Sequence, residues 1–272
     1  MNEIGRLDIE DRKELDAIIS KIEKHLDKNK VNLAEKKLAE TSKTPNYFVR
    51  EYLGKNIAKI EHQDKLTKIT EHMLQHKIYG VRATAVFYLY NIYIEDTDKV
   101  FEILERTFDS VPWEVESIIN DMWKKIPVIM KEKMQSWIES ENPQKRSLSF
   151  HGMENIARSD PNFIMDFISK VIDDDTMEVQ KKITHILTQV ARVNPVIVFP
   201  YIREWLSDAD EKRIKTIWVS MKKLANIVIQ RNRRERSEEF ILLTQQTISD
   251  WKNDENDNIS QMGERLYRII TR

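Results

Sequence analysis

Apolar residues recur along this chain in steps of three and four, with charged residues between them. In PWEVESIINDMWKKI, the residues Val115, Ile118, Ile119, Met122 and Ile126 fall on one stripe of a helical wheel. Leu15, Ile18, Ile19, Ile22 and Leu26 form a second such stripe, and Val179, Ile183, Ile186, Leu187 and Val190 a third. No segment alternates as a strand would, so the pattern predicts an all-α fold.

The helices repeat in pairs. A long or apolar residue followed by a polar one returns as Val49-Arg50, Val81-Arg82, Val115-Glu116, Lys145-Arg146, Val179-Gln180 and Ile214-Lys215, at spacings of 32, 34, 30, 34 and 35 residues. A period of about 20 to 50 residues marks a solenoid. Between these helices the pattern places others near 64–76, 98–108, 128–140, 161–173 and 196–206. The joints are HKIYG, DSVP, SENP, DDDT and SDADE, where Asp and Ser suit N-caps and Pro suits a first helical turn. The architecture expected is an α-solenoid of HEAT-like helix pairs, a single curved domain with a concave groove. Residues 1–44 are expected as an N-terminal helical cap, 45–235 as repeats and 236–272 as C-terminal capping helices.

Composition narrows the chemistry. There is no cysteine, which excludes disulfides, thiol catalysis and Cys-ligated metals. The five glycines form no phosphate loop, and no cofactor is expected. No apolar run is long enough for a membrane span, and the charged N-terminus does not read as a secretory signal. A cytoplasmic monomer is the expectation. His72 and His76 stand four apart without a third ligand in evidence, so no metal site is expected.

The net charge of -1 hides an uneven distribution. Nine acidic residues between Glu95 and Asp121 face only Lys99 and Arg106, whereas nine basic residues between Glu211 and Arg236 face only two glutamates. The stretch IQRNRRER, with Arg231, Arg233 and Arg234, is either a phosphate-binding run or a solvated helix end. On the wheel Trp113 points opposite the core stripe of its helix, with Glu116 on the flank and Asn120 on the same side. Trp113 either packs on a neighbouring repeat or faces a ligand. His185 lies opposite its own core stripe, with Lys182, Gln189 and Arg192.

Three stretches resemble the AlkD-like DNA alkylation repair family of HEAT-like-repeat glycosylases: DSVPWEVES, MQSWIESENPQKRSLSFHGMENIAR and KKITHILTQVARVNPVIVFPYI. The likeness covers roughly residues 45 to 230. It implies a basic groove that holds double-stranded DNA and excision of cationic N3- or N7-alkylated purines without base flipping. Aromatic faces would contact the backbone and deoxyribose, and a carboxylate would stabilise the sugar cation. Position by position, Trp113 matches the family's first tryptophan, Glu116 its carboxylate and Arg146 its phosphate-holding arginine. The carboxylate here is Glu rather than Asp, one residue closer to the tryptophan, and His185 stands where the family has a second tryptophan. The catalytic set implied is Glu116, Trp113 and His185. The DNA-binding set is Arg146, Lys145, Lys182, Arg192, Lys215, Arg231, Arg233 and Arg234. The alternative class is a non-catalytic scaffold that holds a protein partner.

Overall fold

The computed structural model describes residues 5–230 and 237–271. Among them, every regular element is helical. The chain divides into two compact units, 1–118 and 119–272.

The first unit contains α1 (Ile9–Asp27), α2 (Val31–Ser42), α3 (Tyr47–Ile57), α4 (Gln63–Leu74), α5 (Tyr79–Ile92) and α6 (Thr97–Thr107). α1 opens with a capping box in which the side chains of Asp8 and Asp11 each accept from the other's backbone N–H. Its buried stripe is Leu15, Ile18, Ile22 and Leu26, while Ile19 is only partly covered. α3 packs on α5, and α4 and α6 pack on α5 in turn. The approach of α3 to α5 depends on Gly54, where an added Cβ would lie 2.4 Å from the Phe87 Cβ. The predicted joint HKIYG is shorter than expected, because α5 already begins at Tyr79. Gly80 permits this start: a Cβ there would meet the Ser42 carbonyl at 2.4 Å.

α7 (Pro112–Lys125) carries the boundary between the units within it, so no linker composition marks the division. The second unit continues with α8 (Pro127–Ile138), α9 (Pro143–Ser149), a 3-10 turn at Met153–Ile156, α10 (Pro161–Ser169), α11 (Met177–Val193), α12 (Pro195–Ser207), α13 (Glu211–Ile229), α14 (Glu238–Lys252) and α15 (Asp257–Ile270). Four of these helices start with proline in the first turn, and Asp160 and Asp210 cap α10 and α13 as the joints predict. α9, α11, α13 and α15 stack in succession, and α10, α12 and α14 form the second layer. This alternation is the helix-pair repeat read from the sequence. Val49, Val81, Val115 and Val179 are all wholly buried, and each stands early in an odd-numbered helix.

The polar partner of that repeated pair has a structural use. Arg50 Nη1 donates to the carbonyls of Thr44 and Pro45, Arg82 Nη1 to His76, Arg146 Nη1 to Ser140 and Glu141, and Gln180 Nε2 to Asp174. Each ties its helix to carbonyls of the preceding joint, five or six residues upstream. Those carbonyls have no intrahelical partner and must be satisfied otherwise.

Candidate functional site

Trp113 is 71% exposed at the first turn of α7, against 0% for Val115 and Ile119 on the opposite stripe. It forms one wall of a recess of about 440 Å³ in the first unit, with Thr44, Pro45, Ile78, Tyr79 and Pro112. Next to it in sequence, Glu114 is wholly buried. Burying a carboxylate is costly unless charge and hydrogen bonds answer it. Here they do. Arg50 donates to Glu114 Oε1 from Nε (3.2 Å) and Nη2 (2.7 Å), and the Tyr79 hydroxyl donates to Oε2. The Tyr79 ring lies 5.6 Å from the Arg50 guanidinium and 5.8 Å from that of Arg82. Burial, and then the Glu114 carboxylate, push the Tyr79 phenol well above its usual range, so it stays a donor. A buried network thus holds the peptide that carries the exposed indole. Glu116 is half-buried one turn on.

Arg146 in the second unit is fully engaged. Its Nε donates to Asp174 Oδ2 at 2.7 Å, Nη1 serves the Ser140 and Glu141 carbonyls, and Nη2 reaches Asp174 Oδ1 and Thr176 Oγ1. That accounts for all five donors of a guanidinium. Burial raises the Asp174 pKa, but the hydrogen bonds from Arg146 and Thr176 outweigh it and hold the carboxyl below its usual range. Lys145 sits over the Trp137 ring at 5.4 Å, and Arg192 is half-buried with Nη1 donating to Gln189. Lys182 reaches His151 Nδ1 at 3.3 Å.

His185 and Lys215 do come together. They line a depression of about 310 Å³ between α11 and α13 with Lys181 and Lys223, and Met177 and Val219 stand exposed at it. No carboxylate is among the described residues that line it. His185 is exposed at one edge, yet partial burial, followed by the nearby Lys223 and Lys182, lowers its pKa from the usual 6.5 despite the opposing pull of Glu154. It therefore gives up its proton more readily than a free imidazole. Arg231, Arg233 and Arg234 lie outside the described residues.

Three members of the acidic run are used within the fold. Asp96 caps α6, Glu102 pairs with Lys99, and Glu114 is internal. His72 stands 3.7 Å from Glu35, while His76 accepts from the Ile78 N–H, so the two histidines are used separately.

Sequence reasoning missed Glu114, Arg50, Tyr79, Lys181 and Lys223. One signal was present. Tyr47, Tyr79 and Trp113 all stand two residues before the repeated valine, and Arg50 and Arg82 one residue after it. Lys181 precedes His185 by one helical turn and shares its face.

No curated protein matches the chain at a significant level. Among solved structures, the protein smu.31 from Streptococcus mutans UA159 is similar at a TM-score of 0.54 and 15% identity, over 76% of this chain and 97% of that one. That likeness concerns the fold. The sequence profile described as DNA alkylation repair enzyme matches residues 37–251, which include the Trp113 recess and the His185 depression. The chain belongs to the DNA alkylation repair enzyme family.

Proposed function

We propose that the protein binds double-stranded DNA and releases cationic N3- or N7-alkylated purines from it. The observation that carries this reading is the anchored, solvent-facing Trp113. A large aromatic side chain held in water by a buried network is suited to contact a ligand. Deoxyribose and backbone of a damaged duplex offer the face it needs. The lysine-lined depression around His185 supplies the positive charge that phosphates require.

The chemistry asks little of an acid. An alkylated purine already carries positive charge, so the C1′–N bond breaks with its electron pair leaving on the purine. Positive charge then develops on the sugar, water adds at C1′, and a proton is lost to solvent. A carboxylate near C1′ stabilises that charge. Glu114 is unsuited, because Arg50 already neutralises it inside the protein. Glu116 is the carboxylate assigned this role, with Trp113 against the sugar and backbone, while His185 is assigned to the phosphate-binding depression of the second unit. Arg146 acts through structure rather than as a free phosphate ligand, given its saturated guanidinium.

A second reading has its own observation. Between α12 and α14 lies a recess of about 440 Å³ walled by Val196, Phe199, Pro200, Leu243 and Trp251. Such an apolar surface suits a protein partner and favours a scaffold role. Incubation with a 7-methylguanine-containing duplex separates the readings. The wild type releases free base, and Glu116→Gln lowers the rate by about tenfold or more. No release by the wild type, together with no salt-sensitive duplex binding, leaves the scaffold.

A further inference from the structure

A third recess, of about 460 Å³, lies wholly in the first unit. Its floor is the outer face of α3, where Phe48, Tyr52 and Lys55 recur at steps of four and three, with Lys59 in the turn just beyond the helix. Its other wall is Arg6 and Arg12, from the entry segment and α1. The entry segment is held on both sides of Arg6. The Asn46 side chain donates to the Gly5 carbonyl at 3.0 Å, and Leu7 packs on the cluster of Leu15, Val49 and Leu53. Arg6 is thereby fixed beside α3. Four cations meet one lining carboxylate, Glu51. Phe48 is 36% exposed among them.

The repeat register relates this face to the His185 depression. Lys55 stands six residues after Val49, as His185 stands six after Val179, and Leu53 and Ile183, four residues after the same valines, are both wholly buried. The same repeat position is therefore turned outward in both units, and both carry a nitrogen base there.

We propose that this α3 recess binds the sugar–phosphate backbone of a nucleic-acid strand, with phosphates on Arg6, Arg12, Lys55 and Lys59 and a sugar or base against Phe48. Two features favour a strand over a free phosphate. The cations are spread along the helix rather than converging on one point, and an exposed aromatic ring stands among them, the combination used for extended polyanions with ring faces. The site rests on the DNA-binding reading above and extends it to the N-terminal helices.

The test is fluorescence anisotropy with a labelled duplex at about 50 mM and about 200 mM NaCl, where each lost phosphate contact lowers the log–log salt slope by about 0.9. The triple variant Arg12→Gln/Lys55→Gln/Lys59→Gln alters exposed side chains only, and its far-UV circular dichroism checks the fold. Its affinity is expected to fall about tenfold or more at the lower salt, with a slope reduced by about two to three. A parallel variant, Lys181→Gln/Lys215→Gln/Lys223→Gln, reports on the other depression. If the wild type binds and only the parallel variant weakens, the α3 site is wrong and the DNA-binding reading stands. If the wild type shows no salt-sensitive binding, both fall. Displacement of the duplex by inorganic phosphate at matched ionic strength overturns the strand assignment in favour of a free-anion site.

Discussion

Beside Trp113 the buried Glu114 carboxylate is answered from within by Arg50 and Tyr79, and the surface left to solvent is an indole among prolines and a tyrosine. Around His185 the lining is lysine, and no carboxylate lines it among the described residues. The first region uses its charges to fix a shape, and the second presents charge outward. Net charge along the sequence could not separate these uses, because Glu114 counts the same as a solvated glutamate until its partners are known. The difference also divides the expected effects of mutation: the first region should answer in stability, the second in salt-dependent binding.

The largest effect is expected at the buried pair. Glu114→Ala leaves Arg50, whose side chain is only 4% exposed, without its counter-ion. Removing one partner of a buried pair costs about 3–5 kcal/mol. Thermal denaturation should show a fall of roughly 6–20 °C, at about 2–4 °C per kcal/mol for a protein of this size. An unchanged melting temperature would remove the shape-fixing role. Next comes Arg146→Ala, which strands the largely buried Asp174 and two joint carbonyls. A loss of about 2–4 kcal/mol is expected. If stability holds and only duplex affinity falls, Arg146 is a phosphate ligand after all.

The depression should behave in the opposite way. Replacing Lys181, Lys215 and Lys223 by Gln lowers duplex affinity about tenfold or more and flattens its salt dependence. Melting should shift by no more than about 0.5 kcal/mol, as for exposed residues generally.

The smallest effect is the pH response of His185. Its pKa in the folded protein is lowered by burial and by Lys223 and Lys182. The unfolded chain therefore binds this proton more readily, and its contribution to stability is lost as pH falls below about 6.5. Phosphates at the depression would raise that pKa, so binding takes up a proton. Duplex affinity is expected to rise a few-fold as pH drops from about 7.5 to about 6, and His185→Gln should flatten the rise. An equal rise in the variant assigns the proton to another group.

Much of the fold was legible because a helix repeats its apolar positions locally. The valine period located the odd-numbered helices, and the wheel turned Trp113 and His185 away from their cores, as the structure has them. What was not legible depends on partners distant in sequence. Glu114 meets Arg50 from 64 residues upstream and Tyr79 from 35, and Arg146 meets Asp174 from 28 downstream. No local spacing encodes such pairs. The expectation for 161–173 also overran, since α10 ends at Ser169 while Ile172 remains buried beyond it. An apolar stripe can outlast the helix that carries it.

The central claim, that Trp113 contacts the duplex, has a direct optical test. Of the six tryptophans, Trp123, Trp137, Trp205 and Trp251 are buried and Trp218 is partly covered, so Trp113 is the one most open to a quencher. Titration with duplex DNA should change the intrinsic tryptophan emission of the wild type. Trp113→Phe should abolish most of that change while its circular dichroism stays that of the wild type. An emission change that survives intact in Trp113→Phe would contradict the account.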